Sequence, residues 1–339
     1  MLPERILVIQ TAFLGDAILT LPMIQKLSEK YPSSSIDVIS IPSTQEIFSA
    51  SPYVQNVLVL DKRGKHRSIR TLLKFTREIK AIGYSKLFSP HRSFRSSLIT
   101  MLSGVRNTNG FDTASFNHVY KNLIKYEPSD HEVKRNLSLL GINEEFDWRI
   151  KPEIKLSKEV ENKIQSFLLE KNLTKKIAVA PGSVWNTKKY PFDYWKEIIG
   201  YLVDNSYNVF LIGGSDDTEI NDSLKSNFPK GVISTAGQFS IIESIGLLKE
   251  CMCLICNDSA PTHMGMAADI PVLTIYCSTI PQFGFYPYNK KSVSAGLNDL
   301  KCKPCGIHGY NECPIHTFDC GKLLKPSIVI DALKEILSS

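Results

Sequence analysis

Five short stretches gather residue types able to do chemistry. The first is Phe13-Leu14-Gly15-Asp16, where a carboxylate follows a glycine that permits a tight turn. The apolar run Ile6-Leu7-Val8-Ile9 precedes it, and Ala17, Ile18, Leu21, Ile24 and Leu27 follow at helical spacing. Asp16 is therefore expected at a helix start just past a strand. There it either caps the helix or serves as a general base held ionised by the helix dipole. The second stretch, His91-Arg92-Ser93-Phe94-Arg95, places cationic groups where the dipole disfavours them. His91, Arg92 and Arg95 suit an acceptor bearing carboxylate or phosphate, or else a solvated helix start.

The other three stretches point to an anionic, nucleotide-like ligand. Ala180-Pro181-Gly182-Ser183 is followed by Asn186-Thr187-Lys188-Lys189-Tyr190-Pro191. Thr187 and Lys188 offer a hydroxyl and an ammonium that can grip a diphosphate; the alternative is an ordinary polar loop. In Ile212-Gly213-Gly214-Ser215-Asp216-Asp217, paired glycines let a ligand approach, and an acidic side chain there can bind ribose hydroxyls. In Cys256-Asn257-Asp258-Ser259-Ala260-Pro261-Thr262-His263, an apolar run enters a helix start near Pro261, whose unpaired N–H groups make an anion site. The plainer reading makes Asp258 and Ser259 caps and His263 a core histidine. The chain has no G-x-G-x-x-G, no P-loop and no Asp-x-Asp pair of the metal-diphosphate kind.

A separate cluster lies near the carboxyl end: Cys302-Lys303-Pro304-Cys305, then Cys313 and Cys320, with His308 and His316 nearby. Four thiols can form a closed structural zinc site, although the second pair is more widely spaced than is usual. Packing thiols or a local disulfide are the alternatives. Cys251, Cys253, Cys256 and Cys277 lie in apolar segments and read as small hydrophobes.

The elements that must position these residues alternate strand and helix, which implies mostly parallel sheets covered on both faces. Strands are expected at 5–10, 36–39, 57–60 and 84–89, with helices at 69–82 and 94–102 and a Pro22 that starts or kinks a turn. A weakly periodic, charged connection runs from Ile142 to Lys155 and includes Glu144-Glu145. After a helix at 158–171 the alternation restarts. Its strands are expected at 176–181, 208–213, 231–235, 253–257 and 271–276, its helices at 192–204, 218–228, 241–250 and 261–268. The expected division is a domain over 1–150, a second over 151–325 and a closing amphipathic helix over 326–339. Two doubly wound domains would leave a cleft at the carboxyl ends of their strands, where ligands of such sheets bind.

Composition fits this picture. The chain has 339 residues, 43% of them hydrophobic and 22% charged, enough to bury two cores. A net charge of +6 suits anionic small molecules or an anionic membrane surface but falls short of a nucleic-acid footprint. No apolar run reaches the length of a membrane span, and Ile6–Ile9 is too short for a signal-peptide core, so a cytoplasmic location is expected.

Taken in order, these residues resemble the heptosyltransferases of the bacterial lipopolysaccharide core, the ADP-heptose-dependent glycosyltransferase family 9. The resemblance runs through Leu14-Gly15-Asp16-Ala17, Leu21-Pro22, Pro181-Gly182-Ser183, Lys188-Lys189-Tyr190-Pro191, Asn257 to His263, Ala267-Ala268 and Pro271-Val272. It implies an α/β fold of the GT-B type, two Rossmann-like doubly wound domains with an inter-domain cleft, and an inverting transfer without metal or other cofactor. It further implies Asp16 as catalytic base and Thr187 and Lys188 as diphosphate ligands. Ser183, Asp216 and the segment Asp258, Ser259, Ala260, Pro261, Thr262 and His263 complete the expected donor site. The chain differs from the family at Tyr190, Ala260-Pro261 and Cys277-Ser278-Thr279, where the resemblance leads one to expect Trp, Gly-Pro or Gly-Leu, and Gly-Pro-Thr. The implied partners are an ADP-sugar donor and an anionic, lipid-linked oligosaccharide acceptor met at the inner face of the cytoplasmic membrane. A nucleotide-sugar epimerase of similar two-domain form, or a catalytically silent nucleotide-sugar binder, is the rival reading.

Overall fold

The structure is a computed structural model that describes residues 4–142, 147–171 and 173–338. Glu144-Glu145 of the expected connection lies outside the described residues. Two compact units form, Met1–Lys155 and Leu156–Ser339.

The first unit runs β1 (Arg5–Ile9), α1 (Leu14–Lys30), β2 (Ser35–Ser40), α2 (Gln45–Ser49), β3 (Asn56–Val59), α3 (Ile69–Ile82), β4 (Lys86–Ser89), α4 (Phe94–Leu102), β5 (Asn107–Phe111), β6 (Asn122–Ile124) and α5 (Glu132–Ser138). Its six strands are all parallel in the order β3-β2-β1-β4-β5-β6. A parallel sheet is covered on both faces, so β1 is an unbroken apolar run, buried from Ile6 to Ile9. Leu7, Ile9, Ile39, Leu87, Phe75, Ile79 and Ile99 form the core on one face. Ser68 and Ser93 start α3 and α4 by accepting the N–H groups of Thr71 and Ser96. α1 continues through Pro22 without a break. α5 is fastened to α1 by the Asn136 amide, which donates to the Leu19 carbonyl at 3.1 Å.

The second unit repeats the plan: α6 (Lys158–Lys171), β7 (Lys176–Ala180), α7 (Phe192–Asp204), β8 (Asn208–Leu211), α8 (Thr218–Lys225), β9 (Val232–Ser234), α9 (Ile241–Lys249), β10 (Cys253–Asn257), α10 (Ala260–Ala268), β11 (Val272–Tyr276), β12 (Val293–Gly296), α11 (Asp319–Lys322) and α12 (Pro326–Ser338). The parallel order is β12-β11-β10-β7-β8-β9. Trp195, Ile198, Leu202, Val179, Leu211, Ile255, Leu273 and Ile275 build its core, and Val329, Leu333 and Ile336 of α12 close it. In each sheet the first strand of the unit lies beside the fourth, so the chain leaves that pair in opposite directions. This switch point is where doubly wound sheets bind ligands. No helix among the described residues is long and apolar enough to cross a membrane.

Candidate active site

At the switch point of the first sheet, the chain leaves β1 through Thr11 and β4 through His91, each two residues past its strand. The Thr11 hydroxyl and His91 Nδ1 are 2.8 Å apart, joining the two strand ends directly. Ser96 and Ser93 hydroxyls lie 3.1 and 3.3 Å from the same nitrogen. Burial, with the charges of Lys62 and Arg92, pushes the His91 pKa down to about 4. The imidazole is thus neutral at pH 7, and the positive charge at this strand end comes from Arg92, Arg95 and Lys62. The Lys62 ammonium donates to the Thr11 carbonyl at 2.7 Å. Arg95 reaches toward the His66 carbonyl.

Asp16 sits in the first turn of α1, but the cap position belongs to Phe13, whose side chain makes no capping bond. Asp16 is therefore not an N-cap. As the third helical residue it reaches back to the backbone N–H of Phe13 and its own N–H, as half of a capping box would. Burial outweighs these N–H groups and the Arg92 guanidinium, and lifts the Asp16 pKa from 3.8 to about 6. A half-buried carboxyl with that affinity for protons is ionised at pH 7 and still basic enough to take one.

Beneath it lies a group that sequence reasoning missed. Glu132 and Arg135 of α5 are both buried and form an ion pair at 2.9 Å. Arg135 also donates to the Tyr126 hydroxyl at 2.9 Å, and Arg92 stacks over the same ring at 3.8 Å. Burial and the nearby Asp16 carboxylate push Glu132 up to about 7, against the pull of Arg135. Tyr126, Glu132 and Arg135 thus tie Arg92 to the surroundings of Asp16. Their only sequence signal was a Glu and an Arg three apart, common on any helix.

The switch point of the second sheet is built around Asn257, the fully buried last residue of β10. Its amide donates to the Pro181 carbonyl at 2.7 Å and the Gly182 carbonyl at 3.3 Å, and its oxygen accepts the Tyr190 N–H at 3.0 Å. One side chain therefore locks the β7 loop to the β10 end. Within that frame Lys188 and Asp258 meet, with Nζ to Oδ2 2.7 Å, and the Thr279 hydroxyl donates to the same oxygen at 2.6 Å. The α10 start beside them has no side-chain cap, because the Ser259 hydroxyl turns back to the Asn257 carbonyl at 3.3 Å. Ala260 and Pro261 form the first turn. Burial pushes the His263 pKa down to about 4, and its Nδ1 finds no hydrogen-bond partner among the described residues. An uncapped helix start, a lysine and an unpartnered imidazole nitrogen are groups able to receive a phosphate ligand.

Several expected contacts are placed otherwise. The Thr187 hydroxyl is buried and accepts from the Ser278 hydroxyl at 3.0 Å and the Tyr310 N–H at 2.8 Å, so it faces protein. Thr262 turns its hydroxyl into the core, 3.1 Å from that of Thr274. Ser183 is half-buried at the loop start. Asp216 is exposed, whereas its neighbour Asp217 accepts the Gly214 N–H at 3.0 Å. A Cβ at Gly182 would lie 1.9 Å from an Asp217 carboxyl oxygen, so any larger residue there would displace that carboxylate from the strand end. Among the described residues no three His, Cys, Asp or Glu side chains are grouped to hold a metal, and all eight cysteines are free. Cys320 packs in the apolar core, while Cys302, Cys305 and Cys313 are half-buried.

Comparison with known proteins agrees with this architecture. The profile of glycosyltransferase family 9 (heptosyltransferase) matches residues 72–314. Lipopolysaccharide heptosyltransferase 2 of Escherichia coli K12 is 22% identical over 298 residues, 82% of this chain and 84% of that protein. The solved structure of a glycosyl transferase family 9 protein from Veillonella parvula superposes with a TM-score of 0.87 at 23% identity, covering 99% of this chain and 98% of that one. The E. coli ADP-heptose LPS heptosyltransferase II superposes at 0.81 with 19% identity, over 99% of each chain. With the profile spanning well over half its length on a pair of doubly wound parallel sheets of the GT-B type, the chain belongs to glycosyltransferase family 9 and is a glycosyltransferase.

Proposed function

We propose that the chain transfers a heptose from ADP-heptose to a lipopolysaccharide core acceptor, inverting the anomeric centre in one displacement without a metal ion. The observation that carries this reading is Asp16, a half-buried carboxylate in the first turn of α1 just past β1, where burial raises its proton affinity. The acceptor oxygen attacks the anomeric carbon, its proton passes to Asp16, and the bond to the diphosphate oxygen breaks to release ADP. General-base assistance of this kind contributes roughly 10²–10⁴-fold. Charge growing on the leaving diphosphate is met by Lys188, the α10 start and His263, which supports metal-free departure. The names of the relatives support ADP-heptose and lipopolysaccharide as donor and acceptor.

Arg92, Arg95 and Lys62 supply the positive charge for an anionic, lipid-linked acceptor, with neutral His91 holding the strand ends. Work on such an acceptor places the enzyme in transient contact with the inner face of the cytoplasmic membrane. The deciding assay supplies purified protein with ADP-heptose, with and without heptose-free core lipopolysaccharide, in excess chelator. The reading expects ADP release coupled to heptosylated product only when acceptor is present. An altered sugar nucleotide without acceptor would indicate an epimerase. Activity restored only by Mg²⁺ or Mn²⁺ would overturn the metal-free assignment, and donor binding without turnover would leave a silent binder.

A further inference from the structure

The cysteine-rich segment lies far along the chain from the diphosphate loop, yet the two are stitched together. The Thr187 N–H donates to the Tyr310 carbonyl at 3.0 Å, and the Tyr310 N–H returns a bond to the Thr187 hydroxyl at 2.8 Å. The Cys305 N–H donates to the Ser278 carbonyl at 3.1 Å, and the Ser278 hydroxyl donates to that of Thr187 at 3.0 Å. Between these anchors Gly309 has a φ of +82°, and a Cβ there would lie 3.1 Å from Thr187 Oγ1, 3.2 Å from Lys188 Cγ and 3.3 Å from Ser278 Oγ. The backbone therefore crosses against the lysine whose ammonium meets Asp258. Only glycine allows both that approach and that φ. His308, one residue earlier, is exposed.

We infer that residues 305–310 are a working wall of the donor-phosphate site, in which Gly309 and Tyr310 hold Thr187 and Lys188 in place and His308 donates a hydrogen bond to the donor's diphosphate. The inference rests on the proposed reading of Lys188 as a diphosphate ligand. Partial burial and the Lys188 ammonium hold His308 below its ordinary pKa. A neutral imidazole keeps one N–H to give and adds no repulsion to Lys188 in the empty site. The role also accounts for Thr187: its hydroxyl is spent on the wall and not on the ligand.

The test is calorimetric titration of ADP into the full chain and its variants, with kcat and donor KM measured alongside. His308→Ala should weaken ADP binding about three- to tenfold, the range of a single lost hydrogen bond. His308→Gln, which keeps an N–H donor, should recover most of that loss. Gly309→Ala, forced to bear a Cβ against Thr187 and Lys188, should weaken ADP by about tenfold or more and raise donor KM. His308 is exposed, so its variants keep the fold and decide the matter if Gly309→Ala proves unstable. Lys188→Ala is the control for the underlying reading. If it weakens ADP while both His308 variants bind as the unmodified chain does, the wall is refuted and the donor site stands. If Lys188→Ala also binds ADP unchanged, the donor-site reading itself fails.

Discussion

Replacing Asp16 by Asn separates what the carboxyl does for catalysis from what it costs the fold. An amide keeps the size of the side chain but cannot accept a proton, so turnover should fall about 10²–10⁴-fold with donor affinity nearly unchanged. Stability should move the other way. Burial raises the folded pKa from 3.8 to about 6. A raised carboxyl pKa means that the folded state holds the proton more tightly than the unfolded state does. The associated stability is complete below about pH 4 and is lost as pH rises through 6. Each pKa unit is worth about 1.4 kcal/mol, so above pH 6 the ionised Asp16 costs the native state up to about 3 kcal/mol. Asp16→Asn should therefore add about 1–3 kcal/mol at pH 7.5 and close to nothing at pH 4, read as the difference between urea unfolding curves of the two proteins. The unmodified enzyme should also lose kcat/KM below about pH 6 as Asp16 protonates. An Asn variant with normal turnover would remove Asp16 from the chemistry. A stability difference that does not change between pH 4 and 7.5 would refute the burial argument.

Further substitutions test the surroundings of both switch points and the cysteine-rich segment. Glu132→Gln replaces a carboxyl that already holds its proton over the range where Asp16 titrates, so the acid limb of the kcat/KM profile near pH 6 should stay in place; a limb that moves to lower pH would show that Glu132 is ionised beside Asp16. The same variant takes the Glu132 carboxylate away from buried Arg135 and should destabilise by about 1.5–3 kcal/mol in denaturant titration, the range of a lost charged hydrogen bond. Asn257→Ala breaks three buried hydrogen bonds that hold the β7 loop, and should cost about 2–4 kcal/mol and weaken ADP binding; retention of both would remove Asn257 from the frame. Cys320→Ser puts a hydroxyl into an apolar core and should cost about 1–3 kcal/mol, whereas Cys302→Ser should change stability little. An equal loss at Cys302, Cys305, Cys313 and Cys320, with zinc retained through dialysis, would show instead that the four thiols share an ion.

Much of the architecture was legible from local pattern. Helices at 69–82, 94–102, 158–171 and 192–204 fall where apolar periodicity places them, and the strand Cys253–Asn257 is an unbroken buried run. These elements show themselves because a helix face or a doubly covered strand imposes its period on the residues that form it. β5, β6 and α5 left no such trace. Asn107-Thr108-Asn109-Gly110 reads as a polar loop and becomes a strand only because β4 offers it a parallel edge, with the Asn109 amide donating to the Leu87 carbonyl.

The site divides in the same way. Asp16, Lys188, Asp258 and His263 could be picked out because each follows a strand, and strand ends are where such sheets place ligands. What each one does there depended on residues distant in the chain. His91 is held neutral by its burial and then by the charges of Lys62 and Arg92, and Thr187 lost its hydroxyl to Tyr310, 123 residues on. Asp217, and not Asp216, turned toward Gly182. Glu132, Arg135 and Tyr126 entered the neighbourhood of Asp16 only once α5 packed on α1. Sequence determines the period of an element and the chemistry it can carry. Burial, pairing and proton affinity are set by neighbours that only the folded chain brings together, because desolvation and Coulomb forces act through space and not along the backbone.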